Sequence, residues 1–548
     1  MENRFLALIE ESIRTHWNHE AFTDYPGTTY LYSDVAYRIE AIRILLQAAG
    51  IQPGDKIALL GRNSSNWAIA FFGILAHGAV VVPILSDFRP DVILNIIHHS
   101  EAKALFVAQN SWKDLDTTQT KHLRLILQLE NWLVLHTTEA EVQPVMQQMH
   151  NLILKKFKGE MRPKDVHYHV EEPDELAILN YTSGTTSLSK GVMIPYRSLW
   201  SNTQFAADHL PYIRPKDTIL CMLPMAHMYG LAFEVLNSVN RGCHVYFLTR
   251  TPVPKILGEA LAHVRPALIL AVPLIIEKIV TTRVMPELEK PQIKRLLQIP
   301  IIRGWVKKKI AAKLTAAFGG HFHQVIIGGA ALNQEVETFL RSIKFRYTVG
   351  YGMTECGPLV AHAPWNEFQQ GSVGRVVDRM EIRIVEPNAQ GVGEVWVRGA
   401  NTMLGYYKNE EATREALDSE GWYHTGDLAT MSADGHVFIR GRIKNMLLGA
   451  NGQNVYPEEI EDKLNSMAMV NESLIVQRGD KLVGLVYPDF DEAHSMGFNE
   501  SDIESVMEQN RKELNEQLPP FCQLSAIQLQ HEEFAKTPKK SIKRYLYK

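Results

Sequence analysis

The feature that most limits the fold is a repeated exchange between helical stretches and short apolar runs. Ala36 to Gly50 has helical periodicity and stops at a glycine, and Gly54 to Gly61 is a turn feeding a strand. Asn66 to His77 reads as a helix, Val80 to Ile84 as the next strand, and Ala104 to Ala108 as another. The exchange resumes after residue 177, with Leu176–Asn180, Thr218–Leu223, His244–Leu248, Ala267–Ala271 and Gln324–Ile327 as strands. Strands joined through helices at this spacing pair in parallel and must be covered on both faces. The chain thus predicts an α/β body of helix-covered, largely parallel sheets. Residues 110–175 are polar and charge-rich and read as peripheral.

Between 370 and 443 the texture changes. Short strands (Met380–Val385, Gly393–Val397, His436–Ile439) sit among Gly, Asn and Asp turns and predict a small antiparallel β unit. Beyond residue 443 come a helix (Pro457–Met467), strands Glu472–Gln477 and Leu482–Tyr487 about the Gly479-Asp480 turn, and a helix (Glu500–Leu518). That pattern predicts a small, separate α+β unit.

The formal net charge of −4 supplies no general basic field, so nucleic acid is not an implied partner. Cys221, Cys243, Cys356 and Cys522 lie far apart and read as reduced thiols of a cytoplasmic protein. The segment Trp67–Leu85 has no Asp, Glu, Lys or Arg, but Gly73, Gly78, Pro83 and a β-branched second half favour a buried helix turning into a buried strand over a bilayer span. The chain reads as soluble.

One loop concentrates donors. Tyr181-Thr-Ser-Gly-Thr-Thr-Ser-Leu-Ser-Lys190-Gly191 follows a buried strand and sets Thr182, Ser183, Thr185 and Thr186 around Gly184, with Lys190 at its end. Backbone N–H groups, hydroxyls and one ammonium converging on a point suit a polyphosphate. Walker A spacing is absent, because Ser189 precedes Lys190 and Gly191 follows it. By itself, a Ser/Thr/Gly-rich loop is more often an ordinary surface connection.

In order along the chain follow Leu223-Pro-Met-Ala-His227-Met-Tyr-Gly230, Val325-Ile-Ile-Gly328-Gly329-Ala330-Ala-Leu332, Gly350-Tyr351-Gly-Met-Thr354-Glu355-Cys-Gly357, Tyr423-His-Thr-Gly-Asp427 and Gly441-Arg442. With the loop at 182–191, this series resembles the acyl- and aryl-adenylate-forming ligases, from about residue 27 to the C-terminus. The resemblance implies ATP, Mg²⁺ and coenzyme A as cofactor and co-substrates. It places Thr182, Ser183, Gly184, Thr185, Thr186 and Lys190 on the phosphates and His227 beside the acyl carboxylate. Gly328, Gly329 and Ala330 meet adenine and the acyl group, Tyr351 stacks on adenine, and Thr354 donates to the α-phosphate. Glu355 holds Mg²⁺, as a hard cation between phosphates takes carboxylate oxygen. Asp427 accepts from the ribose hydroxyls, and Arg442 binds ribose or phosphate. Lys444 is the hinge between a large body (1–443) and a mobile lid (444–548), and Gly449 to Pro457 lines the CoA tunnel.

Within the family, Val264 to Ile279 resembles the long-chain fatty-acid branch, as does a helical insertion at 280–320, although Leu274 stands where that branch has Arg. The expected substrate is a medium- or long-chain fatty acid, each buried methylene being worth about 0.8 kcal/mol. The late motif departs from the family pattern. In Lys536-Thr-Pro-Lys-Lys540-Ser541 the register puts Ser541 where the catalytic Lys belongs, and Lys540 one place early is expected to substitute. A carrier-protein acceptor instead of free CoA, or a degenerate synthetase that binds without turnover, remain as alternative readings.

Two His-x-His pairs (His167/His169, His321/His323) lack zinc-spaced companions and read as packing. Trp305 with Lys307-Lys-Lys309 forms a basic amphipathic patch, read either as a solvated helix face or as a weak peripheral membrane contact.

Overall fold

The computed structural model describes residues 3–182, 190–280, 284, 295, 300–448, 454–479, 481–537 and 542–547. Among these, an eight-stranded sheet runs in the order Gly405–Tyr406, Gly191–Pro195, Leu176–Tyr181, Val80–Ile84, Lys56–Leu60, Ala104–Val107, Leu125–Gln128, Val134–Thr137. Its five central strands are parallel and its edges antiparallel. A second sheet sets Thr218–Cys221, His244–Leu248 and Glu20–Tyr25 in parallel, with Thr29–Leu31 antiparallel at its edge. A third is wholly parallel, with Gln324–Ile327 between Leu268–Ala271 and Tyr347–Val349.

The helix Ser65–His77 shows why the apolar segment at 67–85 needs no membrane. Trp67, Phe71 and Phe72 are buried within the main hydrophobic core, and Ser64 caps the helix by accepting from the Trp67 amide. Gly78 ends it in the left-handed region, and the chain then enters the strand Val80–Ile84, buried along its whole length. Among the described residues no helix is long and apolar enough to cross a membrane.

Residues 110–175 are not merely peripheral. Leu125–Gln128 and Val134–Thr137 extend the eight-stranded sheet, and the helix Val142–Phe157 follows. Strands of four residues between charged stretches are too short to show a period, so burial by neighbours rather than local pattern decides them.

The antiparallel region forms as expected, with Met380–Val385, Gly393–Gly399, Tyr423–Met431 and Val437–Arg442 in one sheet. Tyr351–Gly352, Leu359–His362 and Arg375–Val376 form another. In the C-terminal part, Val470–Arg478 and Lys481–Pro488 pair antiparallel, and a further strand, Leu524–Leu529, joins in parallel. Alternate residues of this sheet face the helices Pro457–Leu464 and Glu500–Glu516, while Leu474, Val476, Val483 and Leu485 pack against Phe534. All four cysteines are free.

Candidate active site

The motif segments gather at the C-terminal ends of parallel strands, where open α/β sheets place their ligands. Thr182 follows Leu176–Tyr181, Leu223–His227 follows Thr218–Cys221, and Gly328-Gly329-Ala330 follows Gln324–Ile327. Side chains tie these ends together. Asn180 Nδ2 donates to the Ala226 carbonyl at 2.9 Å, which fixes the residue before His227 to the strand that feeds the phosphate loop. Tyr229 donates to the Ile326 carbonyl at 3.0 Å, and its ring lies so close to Gly328 that a Cβ there would sit 3.1 Å from it. His227 opens the short helix Met228–Gly230.

Asp427 owes its position to a bulge. In the ladder between Gly393–Gly399 and Tyr423–Met431, Glu394 pairs with Leu428 and Trp396 with His424, so Thr425, Gly426 and Asp427 stand opposite Val395 alone. Gly426 takes a positive φ of 70°, which favours glycine. Thr425 Oγ1 donates to the Val395 carbonyl at 2.7 Å, and the Gly426 amide donates to Glu394 Oε1 at 3.0 Å. Bulges of this kind re-aim a side chain beside a site. Asp427 thereby accepts from the Tyr351 hydroxyl at 2.6 Å on one oxygen and from Arg442 Nε at 2.8 Å on the other. Arg442 is its direct cross-strand partner. Burial, and then the carboxylate, push the Tyr351 phenol far above its ordinary value, so it stays a donor.

The segment that begins at Tyr351 links these parts. Thr354–Cys356 is a single 3-10 turn, and Glu355 Oε1 accepts from the Tyr406 hydroxyl at 3.0 Å. The Tyr406 hydroxyl also interacts with that of Tyr423, on the strand that carries Asp427. Lys190 Nζ lies over the Tyr406 ring, 4.6 Å from its centre, and Thr182 donates its amide to the Lys190 carbonyl at 3.0 Å. Two sets of contacts therefore meet on the segment Tyr351–Glu355: Lys190 over Tyr406, which bonds Glu355, and Tyr351 to Asp427, which bonds Arg442. Tyr406 carries no chemistry-specific sequence signal, because a Gly-Tyr-Tyr run between polar segments reads as packing. Only the pairing of Gly405–Tyr406 with Val192 and Met193 brings it here.

Gly352 is required by close approach. A Cβ there would lie 2.2 Å from the Pro358 carbonyl oxygen, which already accepts from the Met353 amide at 2.8 Å. Gly352→Ala is expected to cost roughly 1–3 kcal/mol through forced displacement of this turn, read as a lower melting temperature together with weaker nucleotide binding.

Glu234, wholly buried on the π-helical turn Leu231–Leu236, accepts from the Leu223 amide at 3.0 Å and so holds the segment leading to His227. Burial pushes its carboxyl up to about 8. The unfolded chain releases that proton near the ordinary 4.5. The stability this group contributes is whole below the unfolded value and falls by about 1.4 kcal/mol per pH unit until the folded value is passed. Glu234→Gln should therefore melt near the parent at about pH 5 and above it by pH 8, with a gap on the order of a few kcal/mol. Thermal melts across that range check the sign, and a gap that narrows with rising pH would contradict it.

Lys444 lies on the 3-10 turn Ile443–Asn445, two residues past Arg442. The C-terminal part beyond it touches the body through Asn333 Nδ2 to Ser466 Oγ at 2.6 Å and Arg440 Nη1 to Glu459 Oε1 at 3.5 Å. Ser183, Gly184, Thr185, Thr186, Lys540, Ser541 and the loop 449–453 lie outside the described residues. The ends of the late motif are nevertheless anchored: Lys536 pairs with Ile542 in a bridge, Lys536 Nζ sits 2.8 Å from Glu472, and Arg544 pairs with buried Glu461. Of the His pairs, His169 bonds Glu175 at 2.7 Å and His323 packs on Tyr212.

Comparison with known proteins accords with this arrangement. A long-chain-fatty-acid–CoA ligase of Mycobacterium bovis is 27% identical over 491 residues, covering 85% of this chain and 78% of that one. One of Mus musculus is 26% identical over 471 residues, covering 80% of this chain; the match spans 64% of the mouse protein. In fold, the chain resembles ATP-bound MatB from Rhodopseudomonas palustris (TM-score 0.76, 20% identity, 100% of this chain and 98% of that one). It also resembles the anthranilate CoA ligase AuaEII in complex with anthranoyl-AMP (TM-score 0.77, 17% identity, 99% and 96%). The model of the AMP-binding enzyme family matches residues 9–407, and the chain belongs to that family.

Proposed function

We propose that this protein is an ATP-dependent acyl-CoA ligase that activates a medium- or long-chain fatty acid through an acyl-AMP intermediate. The observation that carries the reading is that the segment Tyr351–Glu355 meets Lys190 through Tyr406 at one end and Asp427 directly at the other. It brings a cation, a carboxylate and a ribose-type acceptor from three separate elements to one segment. The fatty-acid preference is supported by the named relatives. AuaEII, an anthranilate CoA ligase, shares the fold, so fold alone leaves the acid open.

A carboxylate is a poor acyl donor because its leaving group would be oxide. In the first step a carboxylate oxygen attacks the α-phosphorus of ATP and pyrophosphate leaves. Two anions must approach, so the residues near them cancel charge. Lys190 faces the outer phosphates, with Thr182, Ser183, Gly184, Thr185 and Thr186 donating around them, and Thr354 donates to the α-phosphate. Glu355 would hold Mg²⁺, whose charge offsets that of the phosphates. The residue fits, since Tyr406 occupies Oε1 and a carboxylate keeps further acceptor capacity for a hard cation. Asp427 has the same capacity for ribose hydroxyls beside its Tyr351 and Arg442 bonds. Gly328, Gly329 and Ala330 let adenine and the acyl group approach the backbone, and His227 flanks the carboxylate. In the second step the CoA thiolate attacks the acyl carbonyl and AMP leaves. The region from Lys444 serves as the lid that turns between the two steps about the body of residues 1–443.

The departure at Ser541 favours one second reading, a synthetase that binds nucleotide or acyl-CoA without efficient adenylation. Pyrophosphate release measured over fatty acids of graded length and benzoate, with and without CoA, separates the readings. Release with the longer acids, and thioester formation with free CoA, is the expected result. Release without thioester points to a carrier-protein acceptor, and no release with any acid overturns the enzyme reading.

A further inference from the structure

We propose that the exposed face of the helix Pro300–Ala317 docks the protein on an anionic lipid bilayer. The sequence holds eight Lys and Arg residues and no Asp or Glu between Glu289 and Glu335, in a chain of net charge −4. Five of these cations, Arg303, Lys307, Lys308, Lys309 and Lys313, belong to the helix. Its inner face is settled: Val306, Leu314 and Phe318 are buried, the latter two in the core around the parallel sheet of Gln324–Ile327. Away from it, Lys308, Lys309 and Lys313 stand in solvent with Trp305, which is 63% exposed, and Arg303 is exposed near the start of the helix. Lys309 Nζ lies 5.2 Å from the centre of the Trp305 ring.

The helix Pro254–Val264 packs beside it, and the C-terminal ends of the two meet where Arg265 Nε donates to the Gly319 carbonyl at 3.4 Å. Eighteen residues against eleven leave the first seven of the longer helix, with Arg303 and Trp305, beyond the length of the shorter. An indole with an apolar body and a polar N–H, set among lysines, matches the headgroup boundary of a bilayer. Each basic side chain held at an anionic surface is worth about fivefold in affinity, so the cluster is matched by charge to acidic headgroups. Docking stands on this helix alone. Its use to the proposed reaction, where the same segment leads on to the Gly328-Gly329 turn, rests on the substrate being a bilayer-soluble fatty acid.

The test is sedimentation of the full chain with sucrose-loaded vesicles, without ATP or acid. Vesicles of phosphatidylcholine with a third phosphatidylglycerol are compared with phosphatidylcholine alone. Binding to the anionic vesicles is expected, and Lys308→Gln/Lys309→Gln/Lys313→Gln should weaken it about a hundredfold, with an unchanged melting temperature. Trp305→Ala should weaken it several-fold. Equal sedimentation with both vesicle types, or a triple variant that binds like the parent, overturns the proposal. So does a face that instead retards RNA or forms a dimer, with no vesicle binding. If vesicles bind while no fatty acid releases pyrophosphate, the docking stands and the substrate reading falls.

Discussion

Glu355→Gln is expected to slow pyrophosphate release about a hundred- to a thousandfold while leaving the melting temperature nearly unchanged. The argument separates charge from shape. Glu355 sits on the Thr354–Cys356 turn and accepts from the Tyr406 hydroxyl at 3.0 Å. A glutamine oxygen accepts that bond equally well, so the Tyr406–Tyr423 link and the pairing of Gly405–Tyr406 with the neighbouring strand survive. What is lost is a full negative charge available to a hard cation. Removing one preorganised electrostatic contact at a charge-developing centre costs on the order of 3–4 kcal/mol. A steady-state pyrophosphate assay, repeated over a range of Mg²⁺ concentrations, checks it. Parent-like turnover at every concentration would remove Glu355 from the site's chemistry.

The second large effect concerns the late motif. Lys540→Ala should slow acyl-AMP formation by a similar factor, on the order of 3–4 kcal/mol for a lost donor to a developing anion. Thioester formation from supplied acyl-AMP should continue at the parent rate, because a residue serving the first step has no role in the second. Single-turnover measurement of each half-reaction makes the distinction, with Lys539→Ala as a neighbour control. Unchanged acyl-AMP formation in Lys540→Ala would defeat its assignment. In that case, a gain of adenylation by Ser541→Lys would identify Ser541 as the vacant place. Anchors on both sides of the segment, the Lys536–Ile542 bridge and the Arg544–Glu461 pair, keep the comparison local.

How much of the site is legible in the chain differs residue by residue. Tyr351, Glu355, Asp427 and Arg442 stand out in sequence because glycines surround them and their side chains suit phosphate, ribose and cation chemistry. Tyr406, Glu394 and Asn180 do not. Each acts through a partner far along the chain: Tyr406 on Glu355, Glu394 on the Gly426 amide, Asn180 on the Ala226 carbonyl. Nothing about an isolated tyrosine, glutamate or asparagine announces such a partner. Glu234 is similar, a carboxyl within an apolar helical run whose altered proton affinity comes wholly from the packing around it.

The alternation of apolar runs with helices was enough to determine the parallel α/β body, the antiparallel β unit and the α+β unit after them, because period and length are local properties of a chain. The order of the glycine-flanked motifs likewise singled out Tyr351, Asp427 and Arg442, which the fold brings into contact. Tertiary structure decided the rest. It recruited Leu125–Gln128 and Val134–Thr137 into the main sheet, set the bulge that turns Asp427 toward Tyr351, and placed Tyr406 between Lys190 and Glu355. These depend on burial and on hydrogen bonds between distant segments, and such energies exist only once the sheets have come together.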